Sequence, residues 1–311
     1  MTSASPSTSP AIEVRQLSKK IGKTTILESI NLTVPRGAIF ALVGHNGAGK
    51  TTLIKLLLNI LRPTQGEARV LGMMSSELRG EAFERIGYVS EKQELPEWMT
   101  VGELMDHLRL LYPRWNDTEL LQDLRLPVER KIKHLSRGMR MKTALASTLA
   151  FGPELILMDE PFSGLDIAVR SDLIRSMLDG VQDGEVTILI SSHDLDEVET
   201  FVTHVAFLDE GRLLFAESMD ALLTRCREVT VTFEQDVAQQ AIAKLAEGCI
   251  AAEASGAMLR FVDMHVNVAD HQDAIRSLMP DAVHVSSEGM NLRSIYLALH
   301  KEHRLQERSR A

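Results

Sequence analysis

The first part of the chain carries the hydrophobic patterns of β-strands and one buried helix. In residues 11 to 43, apolar and polar positions alternate in AIEVRQLS and SINLTV, whereas AIFALV is a continuous apolar run. Alternation is typical of a strand with one buried face, and a short apolar run is typical of a fully buried strand. From Lys50 onward, KTTLIKLLLNIL is apolar on most sides and predicts a buried helix. TQGEARVLG then predicts a turn and a strand, and residues 81 to 91 predict a helix followed by the strand IGYVS.

Residues 92 to 150 have a different, helical character. Leucines recur at helical spacing in VGELMDHLRLLY and NDTELLQDLRL, and Asn116 or Asp117 stands where it can cap the second helix. Strand patterns return in ELILMD and VTILISS, with the helix pattern IAVRSDLIRSMLDG between them. Strands that alternate with helices around buried runs predict an α/β fold with a mostly parallel sheet and a helical insertion.

The C-terminal residues, 225 to 311, predict a small α+β domain. Its strand patterns are EVTVTF, CIAAEA, AMLRFVDM and AVHVSS, and its helix patterns are DVAQQAIAKLA and DHQDAIRSLM. Their order is βαββαβ, which is the ferredoxin-like order, and a last helix, NLRSIYLALHKEHRLQER, follows. We therefore expect a leader at 1–10, a main domain at 11–224 and an accessory domain at 225–311.

Composition restricts the partners and the compartment. The chain has 311 residues, of which 44% are hydrophobic, and its net charge of −9 argues against nucleic acid as a partner. Cys226 and Cys249 have no metal-ligand spacing, so a reducing cytosol is expected. The Ser- and Pro-rich start, MTSASPSTSP, lacks the features of a signal peptide. No run approaches the roughly 20 apolar residues of a membrane span, so work at a membrane would require another chain to span it.

The segment GHNGAGKTT contains the full phosphate-loop pattern G-x-x-x-x-G-K-[ST], between a predicted strand and a predicted helix. In this motif backbone N–H groups surround the phosphates, the Lys reaches the β and γ phosphates, and the hydroxyl binds Mg²⁺. The alternative, a Gly-rich turn with a capping Thr, does not explain both motif and context. The residues expected to bind nucleotide here are Gly44, Asn46, Gly47, Ala48, Gly49, Lys50, Thr51 and Thr52.

A second segment, LILMDEP, is a buried run that ends in two carboxylates. Asp159 at the strand end can meet Mg²⁺ through water, and Glu160 can polarise the water that attacks the γ phosphate. An acidic strand end is common by itself, but together with a phosphate loop it predicts ATP hydrolysis. Lys50, Glu160 and Mg²⁺, with Thr51 and Asp159 near the metal, are then the expected catalytic set.

With these motifs, residues 11 to 220 resemble the ATP-binding cassette ATPases, in particular the single-cassette subunits of exporter-like transporters. The resemblance implies a P-loop core with an antiparallel β subdomain and the helical insertion. SGLD, which ends at Asp166, is similar to the family's D-loop, and SSHDLDEVE supplies His193 as its switch histidine. The family's signature LSGGQ is matched by LSRGM, in which Ser136 and Gly138 are kept. The resemblance implies two ATP bound between two subunits, with Ser136 and Gly138 of one facing the γ phosphate held by the other. Arg137 is then either an additional phosphate contact or a solvated side chain.

Two further positions depart from the family pattern. Glu91 stands where the resemblance implies a glutamine that contacts Mg²⁺, and it adds a charge near Glu160. Ile21 stands where the resemblance implies an aromatic ring stacked on adenine, so weaker recognition of the base is expected. Core filling is an equally good explanation of Ile21.

The function that follows is the ATPase subunit of a transporter, with ATP and Mg²⁺ as cofactors. Its expected partners are a second ATPase subunit and a membrane permease, which places it in the cytoplasm on the inner face of the membrane. By resemblance, ELPEWMTVGEL receives the permease, where Trp98 and Met99 are either anchors or core residues. The alternatives are a soluble cassette ATPase and a nucleotide-dependent regulator with low turnover.

Overall fold

The computed structural model describes residues 9–181, 186–245, 248–264 and 271–310. The chain divides into two compact units, Met1–Ala216 and Glu217–Ala311. The boundary predicted after Thr224 falls inside a helix, Met219–Arg225, and eight residues after this division. Most of the predicted leader, residues 1 to 8, lies outside the described residues.

The secondary structure of the first unit follows the predicted alternation. Its strands, the last of which ends at Ser218, are β1 (Ile12–Ile21), β2 (Thr24–Val34), β3 (Ile39–Val43), β4 (Gln65–Val70), β5 (Met73–Met74), β6 (Ile86–Ser90), β7 (Leu155–Asp159), β8 (Thr187–Ser192), β9 (His204–Asp209) and β10 (Arg212–Ser218). Its α-helices are α1 (Lys50–Leu57), α2 (Val101–Arg109), α3 (Thr118–Asp123), α4 (Arg137–Leu149), α5 (Ile167–Val181) and α6 (Leu195–Val198). The helix predicted before β6 is a 3-10 helix, Gly80–Arg85.

Two sheets organise this unit. One has the antiparallel order β2-β1-β4-β5, and the other has the order β10-β9-β3-β8-β7-β6 with parallel pairs from β9 to β6. The runs at β3, β7 and β8 are fully buried, as the central strands of a parallel sheet must be when both faces are covered. Helix α1 buries Leu53, Ile54 and Leu57 in the core cluster that contains residues of both sheets.

The helical insertion lies between β6 and β7. Helix α2 begins with a capping box, in which the Thr100 hydroxyl accepts from the Glu103 N–H and the Glu103 carboxylate accepts from the Thr100 N–H. The sequence offered Asn116 or Asp117 as the cap of the next helix, and the N-cap residue makes no capping hydrogen bond with its side chain. Asp117 is the residue before α3, but its buried carboxylate accepts two hydrogen bonds from Arg109, at 3.0 and 3.1 Å.

The second unit contains an antiparallel sheet and its own core. Its elements are α7 (Met219–Arg225), β11 (Arg227–Phe233), α8 (Ala238–Ala241), β12 (Cys249–Ser255), β13 (Met258–Asp263), α9 (His271–Leu278), β14 (Ala282–Gly289) and α10 (Leu292–Arg310). The strand order is β12-β13-β11-β14, and α8 continues into a 3-10 helix at Ile242–Lys244. Val229, Val231 and Phe261 on the sheet and Ile275 on α9 form the buried core. Across the described ranges, no helix combines the length and apolar character needed to cross a membrane.

Candidate active site

The candidate residues meet where the parallel strands end. In the sheet register, Asp159 at the end of β7 pairs with Ser90 of β6 and with Ser191 of β8. The adjacent strand β3 ends at Val43, directly before the Gly-rich loop that leads into α1. Because ligands of parallel α/β sheets bind at the carboxyl ends of the strands, this edge is the expected place for a site.

The Gly-rich loop needs glycine for two different physical reasons. At Gly44 a Cβ atom would lie 2.1 Å from the carbonyl oxygen of Leu208, so a side chain has no room. At Gly49 the backbone has φ of +110°, and a Cβ would lie 2.6 Å from Leu27. Gly47 also has positive φ, +92°, and its missing Cβ would face open space. The loop therefore brings bare backbone to the N-terminus of α1, a favourable arrangement for phosphate.

Lys50, Glu160 and His193 form one chain of polar contacts, an ion pair followed by a hydrogen bond. Lys50 Nζ lies 3.0 Å from Glu160 Oε1 and donates to the carbonyl oxygen of Gly44 at 2.6 Å. Glu160 Oε2 lies 2.7 Å from His193 Nδ1. Glu160 has φ of +52°, an uncommon backbone conformation for a residue with a side chain and one that concentrates at functional sites. The chain brings together a cation, a carboxylate and an imidazole at the edge of the sheet.

A second polar group surrounds Asp159. Its Oδ1 accepts hydrogen bonds from Thr51 Oγ1 at 3.0 Å and from Ser191 Oγ at 2.8 Å. The Ser191 hydroxyl also accepts from the Glu160 N–H at 3.0 Å, which fixes the backbone between the two carboxylates. Hydroxyl and carboxylate oxygens are the ligands that Mg²⁺ prefers, and Mg²⁺ commonly combines one or two carboxylates with substrate phosphates. Among the described residues no cluster of three or more His, Cys, Asp and Glu could hold a metal ion.

Lys50 and Glu160 of the first group and Thr51 and Asp159 of the second line a cavity of about 770 Å³. The predicted residues that line it are Asn46, Gly47, Gly49, Lys50, Thr51, Thr52, Glu91, Asp159 and Glu160. Residues that line it without having been predicted are Ile26, Lys55, Tyr88, Ser90 and Lys92. Burial raises the pKa of the Tyr88 hydroxyl, so this ring stays neutral beside the acidic groups. The cavity has the size expected of a site for a small molecule.

Seven predicted residues do not line the cavity: Gly44, Ala48, His193, Ile21, Ser136, Gly138 and Asp166. Ile21 is 56% exposed at the end of β1. The Ser136 hydroxyl caps α4 by accepting from the Met139 N–H, and Gly138 is buried against Val169. The Asp166 carboxylate accepts from the Val169 N–H at 2.9 Å, at the start of α5. The signature and D-loop residues are therefore ordered by contacts within the chain but lie outside its own cavity.

The sequence around Ile26 contains a departure from the alternating strand pattern. In TTILES, Ile26 and Leu27 are consecutive apolar residues, although the sides of a strand alternate. Leu27 is fully buried, whereas Ile26 is only partly buried and faces the cavity. Ile26 therefore presents an apolar side chain to the cavity.

We expect Ile26→Ala to weaken ATP binding by about fivefold, because the truncation removes apolar surface worth about 1 kcal/mol. Ile21→Ala is the matched control, since it removes the same atoms from a residue that does not line the cavity. Calorimetric titration of both variants with ATP distinguishes the two positions. A loss of affinity confined to Ile21→Ala would assign the base contact to Ile21, as the resemblance implied.

The Gly-rich loop, Lys50 and the Asp159–Glu160 pair define a phosphate-loop nucleotide hydrolase. The family described as "ABC transporter" matches residues 27–163. The chain is 32% identical over 229 residues to the ABC transporter ATP-binding protein YtrB of Bacillus subtilis, covering 73% of this chain and 78% of YtrB. It is also 32% identical over 225 residues to the bacitracin transport ATP-binding protein BcrA of Bacillus licheniformis, covering 71% and 74%. A solved structure of the ATP-binding subunit of an ABC transporter matches with a TM-score of 0.63 and 27% identity, over 69% of this chain and 92% of that one. The chain belongs to the ATP-binding proteins of ABC transporters and is an ATPase.

Proposed function

We propose that this ATPase subunit binds MgATP in the cavity at the end of the parallel sheet and works as one half of a dimer that drives a membrane permease. The observation that carries the proposal is the pair of polar groups at this edge. Lys50, Glu160 and His193 form one group, and Thr51, Asp159 and Ser191 form the other. The first supplies groups for phosphate and water, and the second supplies oxygen ligands for a cation.

Phosphate binding would rearrange the contacts of Lys50. Its ammonium group is buried, forms an ion pair with Glu160 and donates a hydrogen bond to the Gly44 carbonyl, next to the N-terminus of α1. Phosphate oxygens at this helix end would compete for the ammonium, since they carry more charge than a carbonyl and accept from the backbone as well. The Glu160 carboxylate would then lose its cation and become free to accept a hydrogen bond from water.

Hydrolysis would depend on Glu160 and on its partner His193. The imidazole contacts one carboxylate oxygen at 2.7 Å, so it fixes the direction of the carboxylate. A carboxylate held in this way can orient a water molecule and take its proton as the water attacks the γ phosphate. Thr51 and Asp159 would hold Mg²⁺, which offsets negative charge on the phosphates when it is bound.

Dimerisation is supported by the position of the signature residues. Ser136 and Gly138 lie at the start of α4 but do not line the cavity of their own chain. The N-terminus of a helix attracts anions, so a phosphate supplied by a second subunit is the natural occupant. Asp166, at the start of α5, is also outside the cavity and would lie in the same interface.

The permease would contact the helical insertion. Trp98 is 72% exposed, and Leu110 and Leu111 are exposed as well, so the insertion presents large apolar side chains to its surroundings. Large exposed aromatic residues are frequent anchors of protein interfaces. The relative named for bacitracin transport supports a transport role. Export is the direction we propose, because the chain resembles the subunits of exporter-like transporters. The subunit would then lie in the cytoplasm, on the inner face of the membrane, and residues 225–311 would form an accessory domain without nucleotide contacts.

We expect Trp98→Ala to reduce recovery of the permease by at least about tenfold, as loss of an interface anchor does. The variant should still bind ATP, because Trp98 is exposed and does not line the cavity. The measurement is purification of the tagged subunit from detergent-solubilised native membranes, followed by identification of the bound membrane protein. Ile60→Ala is the control, since Ile60 is 57% exposed but follows α1 outside the insertion. If no membrane protein binds to the wild-type subunit, the soluble ATPase becomes the better explanation.

A further inference from the structure

Two residues that depart from the family pattern contact each other. Arg137 Nη2 lies 2.6 Å from Glu91 Oε1, although the two residues are 46 positions apart. Glu91 directly follows β6, and its N–H donates to the Asp159 carbonyl at 3.0 Å. Arg137 is the first residue of α4, next to the capping Ser136. The ion pair therefore joins the edge of the nucleotide cavity to the beginning of the signature helix.

The same guanidinium contacts a third segment, the SGLD loop. A Cβ atom at Gly164 would lie 2.6 Å from Arg137 Nη1 and 3.0 Å from its Cζ. Gly164 also has φ of +65°, so this position favours glycine for its backbone as well as for the space. The side chain of Arg137 thus lies between Glu91 and the loop that ends at Asp166.

The charges at the cavity explain why Glu91 needs a partner. Glu91, Asp159 and Glu160 all line a cavity that would receive the negative phosphates of ATP. Glu160 pairs with Lys50, and Asp159 accepts from Thr51 and Ser191. The cation that contacts Glu91 is Arg137. In this ion pair the Glu91 side chain is 33% exposed and the Arg137 side chain is 51% exposed. A glutamate in this position adds a negative charge, and an arginine beside it offsets that charge locally.

We propose that Arg137 is a positioning residue for Glu91: it holds the carboxylate at the cavity edge and offsets its repulsion of the ATP phosphates. This role acts within one chain, in addition to any contact of the signature helix with a second subunit. It rests on the proposed binding of ATP in the cavity. It also explains how substitutions at two separate motifs remain compatible in one molecule.

The test is a double-mutant cycle of ATP affinity in EDTA, which isolates the repulsion between Glu91 and the phosphates. Arg137→Ala should weaken metal-free ATP binding about three- to fivefold, the range expected for a half-exposed ion pair. Glu91→Gln with Arg137→Ala should return the affinity to within about twofold of Glu91→Gln alone, because the unpaired charge is gone. Arg137→Lys should keep part of the affinity by keeping the charge. Titrations at dilute protein, with light scattering to confirm monomers, exclude contacts with a second subunit.

Lys92→Ala is the matched control, since Lys92 lines the same cavity and its replacement also removes one positive charge. Its effect should add to that of Glu91→Gln. The proposal is overturned if Arg137→Ala binds metal-free ATP as well as wild type does. It is also overturned if Glu91→Gln does not restore the affinity of the Arg137→Ala variant. A third contrary result is a coupling between Lys92→Ala and Glu91→Gln as large as that between Arg137→Ala and Glu91→Gln. Thermal melting confirms that each variant is folded, and Arg137→Gln replaces Arg137→Ala if the alanine variant is not. If wild type does not bind MgATP, the proposed function fails, whereas MgATP binding without the coupling overturns only the role of Arg137.

Discussion

Replacing Glu160 by glutamine should lower ATP turnover by about 10²- to 10⁴-fold, the usual contribution of a general base, while ATP binding is retained. Gln has the shape of Glu but cannot take a proton from water. The amide oxygen can still accept a hydrogen bond where Lys50 or His193 now contacts the carboxylate. Because hydrolysis is what reopens the proposed dimer, the variant should accumulate as an ATP-bound dimer. Phosphate release and size-exclusion chromatography with MgATP measure the two effects.

Glu154→Gln is a control with the same chemical change near the other end of strand β7. Glu154 pairs with Arg85 and Arg36, and these guanidiniums lower its pKa to about 2, so it is ionised at neutral pH. It does not line the cavity, and its loss should leave turnover near that of wild type. Wild-type turnover in Glu160→Gln would remove Glu160 as the group that polarises water. Equal losses in both variants would indicate a general effect of removing a carboxylate from this strand.

The nucleotide-binding fold was predictable because its signals are local. The phosphate-loop motif lies between a strand and a helix, and the continuous apolar runs at β3, β7 and β8 identified the central strands of a parallel sheet. The parallel register then brings the ends of these strands together, so Lys50 and Asp159 meet although 109 positions separate them. Local motif and sheet topology together therefore specified most of the cavity.

The remaining details depend on contacts between distant segments. The sequence left Arg137 as either a phosphate contact or a solvated side chain, and its ion pair with Glu91 depends on how the helical insertion packs. Asn116 or Asp117 was expected to cap a helix, but Arg109, eight positions before Asp117, takes the Asp117 carboxylate. Charged side chains are long enough to reach several partners, and spacing along the chain does not decide among them. The role of the signature helix came from the family resemblance and not from spacing, because its proposed ligand is a phosphate held by another subunit.

Mixing two inactive variants should restore ATP-driven closure of the dimer if each site is built from two chains. Lys50→Ala damages the phosphate-loop half of a site. Ser136→Asp puts a carboxylate at the tip of α4, where repulsion from a phosphate charge 4 Å away is about 4 kcal/mol at a protein surface. In a mixed dimer one site carries both lesions and the other carries none. A homodimer of either variant has two damaged sites and should not close.

Ser136→Asp isolates the charge because aspartate, like serine, caps a helix well and can accept from the Met139 N–H. Asn is an equally good cap without the charge, so Ser136→Asn should close with ATP far better than Ser136→Asp. Gly138 is a poorer choice, since a Cβ there would lie 3.0 Å from both methyl groups of Val169 and disturb packing within one chain.

Closure is read by crosslinking across the dimer, with subunit exchange confirmed by two different tags. Closure of the wild-type dimer with ATP is the positive control. If wild type closes and mixed dimers form without closing, Ser136 does not act on the phosphate of a second subunit.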